Sequence, residues 1–273
     1  MNSFRDTVVV VTGAGSGIGR ATSLTFARLG ARVLLADVNE ERLERVRGEI
    51  DQEGGVAQIF KIDVSDRDQV ASFAQAVLAE FGRVDVVVNN AGILLLGEMR
   101  LFSLDEFHRT MGVNFWGVIH MIQGFLPAMI ERRRGHFVNV SSVNGLAPLP
   151  FVGPYSVSKS AVLAISETLR LEVARFGVGV TTICPGLTKT RIREDAVLRA
   201  DSETTRRFLN SCMDRMKRGG VDAFAVARRI PPAIIKNRAV VLISAETRLL
   251  YGLYRLWPKL FRLAAAAVLK RKI

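Results

Sequence analysis

The chain has 273 residues, of which 49% are hydrophobic and 23% charged. That composition excludes a disordered chain, and the length is enough to bury a sizeable core without disulfides or metals. The formal charge of +12 suggests a nucleic-acid binder at first sight, but its distribution argues otherwise: residues 1–188 hold 18 basic and 19 acidic side chains, and residues 189–273 hold 20 and 7. The excess lies in the last third, and no nucleic-acid-reading motif accompanies it, so no nucleic-acid partner is expected.

In chain order, the N-terminus enters a strand almost at once, with no charged region followed by a cleavage site. No signal peptide is therefore read. No uncharged apolar run reaches membrane-spanning length. Strands are predicted at Thr7–Thr12, Arg32–Asp37, Ala57–Asp63, Val84–Asn89, Gly135–Ser141, Val178–Cys184 and Ala239–Ile243. Their Val/Ile runs show little alternation, as strands buried on both faces do. Helical patterns fill the gaps: Gly17–Leu29, Glu40–Gln52 with Leu43, Val46 and Ile50 on one face, Asp66–Phe81 after a cap at Ser65, a helix opened by the Ser103/Glu106 capping box, and Tyr155–Phe176 ended by Gly177. This alternation predicts an α/β fold: a Rossmann-like, doubly wound parallel sheet of about seven strands with helices on both faces. Residues 1–247 form the expected catalytic domain. Residues 189–238 are irregular and charged, with Gly219–Gly220 and Pro231–Pro232 as breakers.

The first strand runs into Gly13-Ala14-Gly15-Ser16-Gly17-Ile18-Gly19 and then a helix. Glycines there permit a tight turn and close approach of a pyrophosphate, which the helix N-terminus attracts. Asp37 ends the second strand about 20 residues on, where a carboxylate holds a ribose 2′-hydroxyl and repels a 2′-phosphate. Ser16 is not replaced by a basic residue, so NAD is expected over NADP. Tyr155 and Lys159 are four residues apart and share a helix face. An ammonium beside a phenol lowers its pKa and makes it usable as an acid–base. Ser142 stands 13 residues before Tyr155 at a strand end, where a site is expected. It has no nucleophile-elbow motif.

With TGAGSGIG (12–19), Asp63-Val64, NNAG (89–92), Asn114, Ser142, YSVSK (155–159) and PGLTKT (185–190) in order, the chain resembles a short-chain dehydrogenase/reductase of the single-domain type. The resemblance implies that Tyr155 is the general acid–base and that Ser142 polarises the reacting oxygen. It implies that Lys159 tunes Tyr155 and binds the nicotinamide ribose, while Asn114 holds a relay water. It places Asp63 and Val64 at the adenine, and Asn90, Ala91 and Gly92 along the cofactor. Pro185 and Gly186 also belong to the cofactor site, with either Thr188 or Thr190 at the nicotinamide amide. A homodimer or homotetramer is implied. The expected activity is interconversion of an alcohol with a ketone or aldehyde; the alternatives are a non-catalytic NAD-binding or regulatory protein and an NAD-using epimerase or dehydratase.

The substrate expected is hydrophobic, because Ile93–Leu96 and Leu146–Phe151 are apolar where loops are usually polar. The arginines of 191–218 form either a lid for an acidic substrate or a solvated surface. His108, His120 and His136 lack clustered partners, so no metal is expected. Cys184 and Cys212 read as reduced thiols of a cytoplasmic protein. The extension 248–273 places Arg248, Arg255, Lys259 and Arg262 on one helical face, with Leu250, Leu253, Trp257, Phe261, Ala264 and Val268 on the other. It reads either as a contact to a membrane surface or as a tail packed on its own or a partner subunit.

Overall fold

A computed structural model describes residues 3–193 and 196–272. Seven strands form its main sheet: β1 (Val8–Thr12), β2 (Arg32–Asp37), β3 (Val56–Lys61), β4 (Val86–Asn89), β5 (Gly135–Val140), β6 (Val178–Cys184) and β7 (Val240–Leu242). Their spatial order is β7-β6-β5-β4-β1-β2-β3, and every pairing is parallel. The expected strands are all present, shifted by up to two residues at their ends. The strand order reverses between β1 and β4, which opens a crevice beyond the carboxyl ends of these strands.

The pleat assigns the core. Val9 and Val11 of β1 face one side of the sheet with Val33 and Leu35 of β2; Val8 and Val10 face the other with Leu34. Helices α1 (Gly17–Arg28) and α2 (Glu40–Gln52) cover the first side through Leu24, Phe26, Leu43, Val46 and Ile50. The second side is covered by α3 (Arg67–Phe81), α5 (Gly117–Glu131) and α6 (Gly153–Val173), through Phe73, Phe125 and Val162 among others. Between α3 and α5, helix α4 (Leu104–Met111) opens with the expected capping box, Ser103 and Glu106 each bonding the other's backbone N–H. The cap of α3 is Asp66 rather than Ser65: Asp66 accepts from the N–H groups of Asp68 and Gln69, while Ser65 donates to Asp63. Helix α6 ends in a tighter turn, Ala174–Phe176, and Gly177 then takes φ 72°. The run Leu104–Glu131 is apolar and long enough to cross a membrane by length and composition, but Met121, Phe125 and Met129 bury in the sheet core.

The segment 189–238 is far more regular than expected. Helix α7 (Glu203–Gly219) is capped by Ser202, whose hydroxyl accepts from Thr205 N–H at 3.1 Å. Short helices Ala223–Ala227 and Ile230–Ile235 follow, and Pro231 sits in the first turn of the latter, where it starts a helix instead of breaking one. The chain closes with α8 (Ala245–Leu256) and α9 (Pro258–Lys272).

His136 on β5 is buried, its Nε2 2.8 Å from Thr181 Oγ1, and Thr181 in turn donates to the Arg238 carbonyl. Burial, helped by the Arg170 charge, pushes its pKa down to about 3. Folded His136 therefore stays neutral while unfolded His136 takes a proton below about pH 6.5, so stability falls with decreasing pH across that window, by about 1.4 kcal/mol per unit from this group. Urea unfolding of wild type and His136→Gln at neutral pH and at about pH 4.5 checks this: the variant is expected to lose less stability on acidification.

Candidate active site

The site is built first from the turn after β1. Gly13 and Gly17 take φ 62° and 52°, a region that costs residues with a Cβ. A Cβ at Gly19 would stand 2.0 Å from the Gly13 carbonyl oxygen, so only glycine lets α1 start this close to β1. The turn is braced from β4. Asn90 donates through Nδ2 to the carbonyls of Thr12 and Gly13, and Thr12 Oγ1 accepts from Asn90 N and Ala91 N. Ser16 occupies the N-cap of α1 without a side-chain capping bond, and no acidic residue lies in the first turn. The first amides of α1 thus face the cleft, ready for an anion.

At the end of β2, Asp37 accepts from Gly15 N–H and Asn39 N–H, both at 3.0 Å. Arg42 of α2 lines the same end of the cleft, a neighbour the sequence reading missed. Asp63 accepts from Ser65 through both its N–H and its hydroxyl, which fixes the loop after β3. Val64 receives its carbonyl's partner from His120 Nδ1 at 3.0 Å, a structural role for that histidine. The resulting cleft encloses about 500 Å³. Of the expected residues, Gly13, Ser16, Gly17, Ile18, Asp37, Asp63, Val64, Asn90, Ala91, Gly92, Pro185, Gly186, Thr188 and Thr190 line it, with Ser142, Tyr155 and Lys159 at its inner end. Gly15 lies on the adjoining recess, and Gly19 and Asn114 support the walls from behind. Both Thr188 and Thr190 reach the cleft, so the choice between them stays open. Among the described residues, no cluster of three His, Cys, Asp or Glu side chains could hold a metal.

At the inner end, Lys159 is buried and donates from Nζ to the Val140 carbonyl at 2.9 Å. The Ser141 hydroxyl donates to the Lys159 carbonyl at 2.7 Å, pinning α6 to the end of β5. Gly145 completes this contact, since a Cβ there would meet the same carbonyl at 2.6 Å. Asn114 sits in a widened π turn, Gly112–Trp116, between α4 and α5. It accepts from Ile93 N–H, and donates to the Ile93 carbonyl and to Ser158 Oγ. The amide oxygen of Asn114 and the ammonium of Lys159 flank Gly92, within 3.4 Å of where a Cβ would stand.

Burial lowers Lys159 to about pH 8 as its half-protonation point. Burial also raises the Tyr155 phenol, and a hydrogen bond with Ser142 opposes that rise. The expected lowering of Tyr155 by Lys159 is not what dominates here. Nζ lies 5.8 Å from the centre of the Tyr155 ring, and desolvation is the largest influence on the phenol. Cys184 beside them is buried and pushed up to about 12, an unreactive thiol.

A second cavity of about 350 Å³ shares Ser142, Tyr155, Gly186 and Ile192 with the cleft. Leu94, Leu96, Leu149 and Phe151 line one side, as their apolar loops suggested. Phe208, Leu209 and Cys212 of α7, with Leu250 of α8 and Ala265 of α9, form the other. Sequence reasoning missed these last five as pocket walls, although the Phe208, Leu209, Cys212 and Met213 spacing is that of one helical face. Arg206, Arg207 and Lys217 point to solvent, while Arg215 reaches the rim. The charged surface of α7 is therefore mostly solvated. Phe151 itself holds φ 66°, a costly state for an aromatic residue. It is kept there by Gly97 N–H bonding its carbonyl and by its ring 5.7 Å from that of Phe208.

Comparison with known proteins agrees with this architecture. The family model for short chain dehydrogenase matches residues 7–201. The chain is 40% identical over 268 residues to the probable oxidoreductase EphD of Mycobacterium tuberculosis, covering 96% of this chain but only 45% of EphD. It is 36% identical to the putative oxidoreductase SadH of the same species, covering 99% and 98% of the two chains. A short-chain dehydrogenase/reductase from Burkholderia phymatum, solved with NAD, superposes with a TM-score of 0.84 at 32% identity, covering 94% of this chain and 96% of that one. A metagenomic short-chain oxidoreductase solved with NADP superposes at 0.72 with 29% identity, covering 89% and 98%. The fold and cleft are those of a dinucleotide-binding α/β protein, and the chain belongs to the short-chain dehydrogenase/reductase family. It spans about half the length of the EphD relatives it matches.

Gly19→Ala is expected to force α1 away from β1, costing about 1–3 kcal/mol of stability and weakening dinucleotide binding. Urea unfolding and calorimetric titration with NAD check this; wild-type behaviour in both would contradict the packing described.

Proposed function

We propose that this chain is an NAD-dependent oxidoreductase that interconverts an alcohol with a ketone or aldehyde on a largely apolar molecule. The observation that carries this reading is the junction of the two cavities. Ser142 and Tyr155 line both, so a molecule held in the apolar cavity presents its oxygen to these hydroxyls beside the cofactor cleft. Bound nicotinamide supplies or accepts the hydride.

The chain's own residues then handle the proton. In reduction Tyr155 gives its phenolic proton to the carbonyl oxygen; in oxidation it takes the hydroxyl proton. Ser142 donates a hydrogen bond to the same oxygen. The Lys159 ammonium, fixed by the Val140 carbonyl, stands beside the Tyr155 ring and holds the cofactor ribose. Asn114, rigid between Ile93 and Ser158, positions a water behind Lys159. The amides of the glycine turn receive the pyrophosphate, Asp37 the adenosine ribose, and Asp63 and Val64 the adenine. Asp37 supports NAD over NADP, and Arg42 beside it is the group that would meet a 2′-phosphate. Asn144 lines the apolar cavity with a buried amide oxygen lacking a hydrogen-bond partner among the described residues, which favours a substrate carrying a second donor. Exposed Trp116 on the π turn between α4 and α5, with Val157 and Leu171 on α6, supports assembly into a homodimer or homotetramer.

Tyr155→Phe is expected to cut turnover by about 10²–10⁴-fold while NAD still binds. Following NADH formation over a panel of alcohols of increasing chain length checks both the role and the substrate class. Full activity in the variant, or preference for small polar alcohols, would contradict the reading. Asp37→Ser is expected to raise the ratio of NADP to NAD turnover.

A further inference from the structure

The final two helices present different chemistry on their two sides. Leu250 and Ala265 line the apolar cavity, and Phe261 is buried with its ring edge-on to Tyr254 at 5.1 Å. On the outer side, a basic residue followed directly by leucine occurs four times: Arg248-Leu249, Arg255-Leu256, Lys259-Leu260 and Arg262-Leu263. All eight residues are exposed. Leu249 is 75% accessible, Leu256 67%, Leu260 54% and Leu263 68%, with Trp257 59% accessible at the joint between α8 and α9.

Helical spacing turns this repeat into a surface. Positions 249 and 256 lie two turns apart on α8, as do 248 and 255, and 260 and 263 lie one turn apart on α9. A row of leucines therefore runs beside a row of cations. The sequence reading put the apolar residues on the side away from the cations. Of those residues Leu250 and Phe261 face inward, and the exposed leucines form a second apolar face. A helix with apolar residues on both sides needs cover on both, and the body of the protein supplies it on one.

We propose that the outer face of α8 and α9 docks on an anionic lipid bilayer, with Leu249, Leu256, Leu260, Leu263 and Trp257 at the acyl boundary and the four cations at the phosphates. Charge selects this occupant over a second copy of the chain. A two-fold contact sets the face against itself, bringing the cations of one copy among the cations of the other away from water. Glu246 is the sole acidic residue from 245 to 273, so these two helices bring no other acidic side chain to such a contact. A bilayer supplies the missing negative charge, each cation strengthening partitioning by roughly fivefold. Because the inner side of the same helices walls the apolar cavity, a docked protein holds that cavity next to the lipid phase. The delivery of a lipid-dissolved alcohol or ketone rests on the function proposed above; the docking does not.

The test is sedimentation of the full chain with vesicles of equal parts phosphatidylglycerol and phosphatidylcholine, and with phosphatidylcholine alone. The wild type is expected to pellet with the anionic vesicles and to be released by salt. Leu256→Glu/Leu263→Glu and Arg255→Glu/Lys259→Glu are each expected to lower partitioning by at least about tenfold, with wild-type thermal unfolding and NAD binding. The docking is overturned if the wild type stays in the supernatant, or if both variants pellet as it does. Light scattering without lipid identifies the alternative: a lower mass for the leucine variant, with no vesicle binding by wild type, makes the face a subunit contact. Vesicle binding without turnover of any alcohol would instead remove the proposed reaction and leave docking standing.

Discussion

The buried ammonium of Lys159 is the constraint around which the inner end of the cleft is arranged. A cation out of water is costly unless its donors are met, and here the Val140 carbonyl at the end of β5 meets one of the three. That bond, with the Ser141 hydroxyl on the Lys159 carbonyl, fixes where α6 crosses the sheet. Tyr155, one turn earlier on α6, and Ser142, the next residue after Ser141, are consequently brought to one place. Gly145 is a point where any side chain would push these parts away from each other, and at Gly92 a Cβ would crowd Asn114 and Lys159.

The outer end depends on a different balance. An unoccupied set of helix amides attracts anions, and the α1 turn leaves its first amides without a capping side chain. Close packing of Gly19 against Gly13 makes this turn rigid, and Thr12 and Asn90 tie it to β4 across the strand-order reversal. Asp37 braces the turn from the far side through Gly15 N–H, so one carboxylate both supports the loop and faces the cleft. Asn90 and Asp63, both in family motifs, bond the protein's own backbone.

Much of the fold was legible because its signals are local. Uninterrupted Val/Ile runs marked the buried strands, and the Ser103/Glu106 box and Gly177 marked helix ends. The errors were local too. Ser65 and Asp66 are both capping residues, and only the loop geometry decided that Asp66 caps while Ser65 serves Asp63. The polar start of α7 looked irregular because its helix is stabilised by packing Phe208 and Leu209 inward, which propensity does not report. Pro231–Pro232 looked like a break because proline's meaning depends on its position in a helix turn.

By itself, the sequence determined the sheet, the phosphate turn and the membership of Ser142, Tyr155 and Lys159 in one site, since spacing along strands and helices dictates these. It also located the excess positive charge in the last third of the chain. Only the tertiary structure decided what that charge accompanies. Folding places α7, α8 and α9 over the apolar cavity, turns Leu250, Phe261 and Ala265 inward, and leaves four leucines beside four cations outside. The reason is physical: a helix apolar on two sides has no preferred inward face until the rest of the fold offers it a surface to cover.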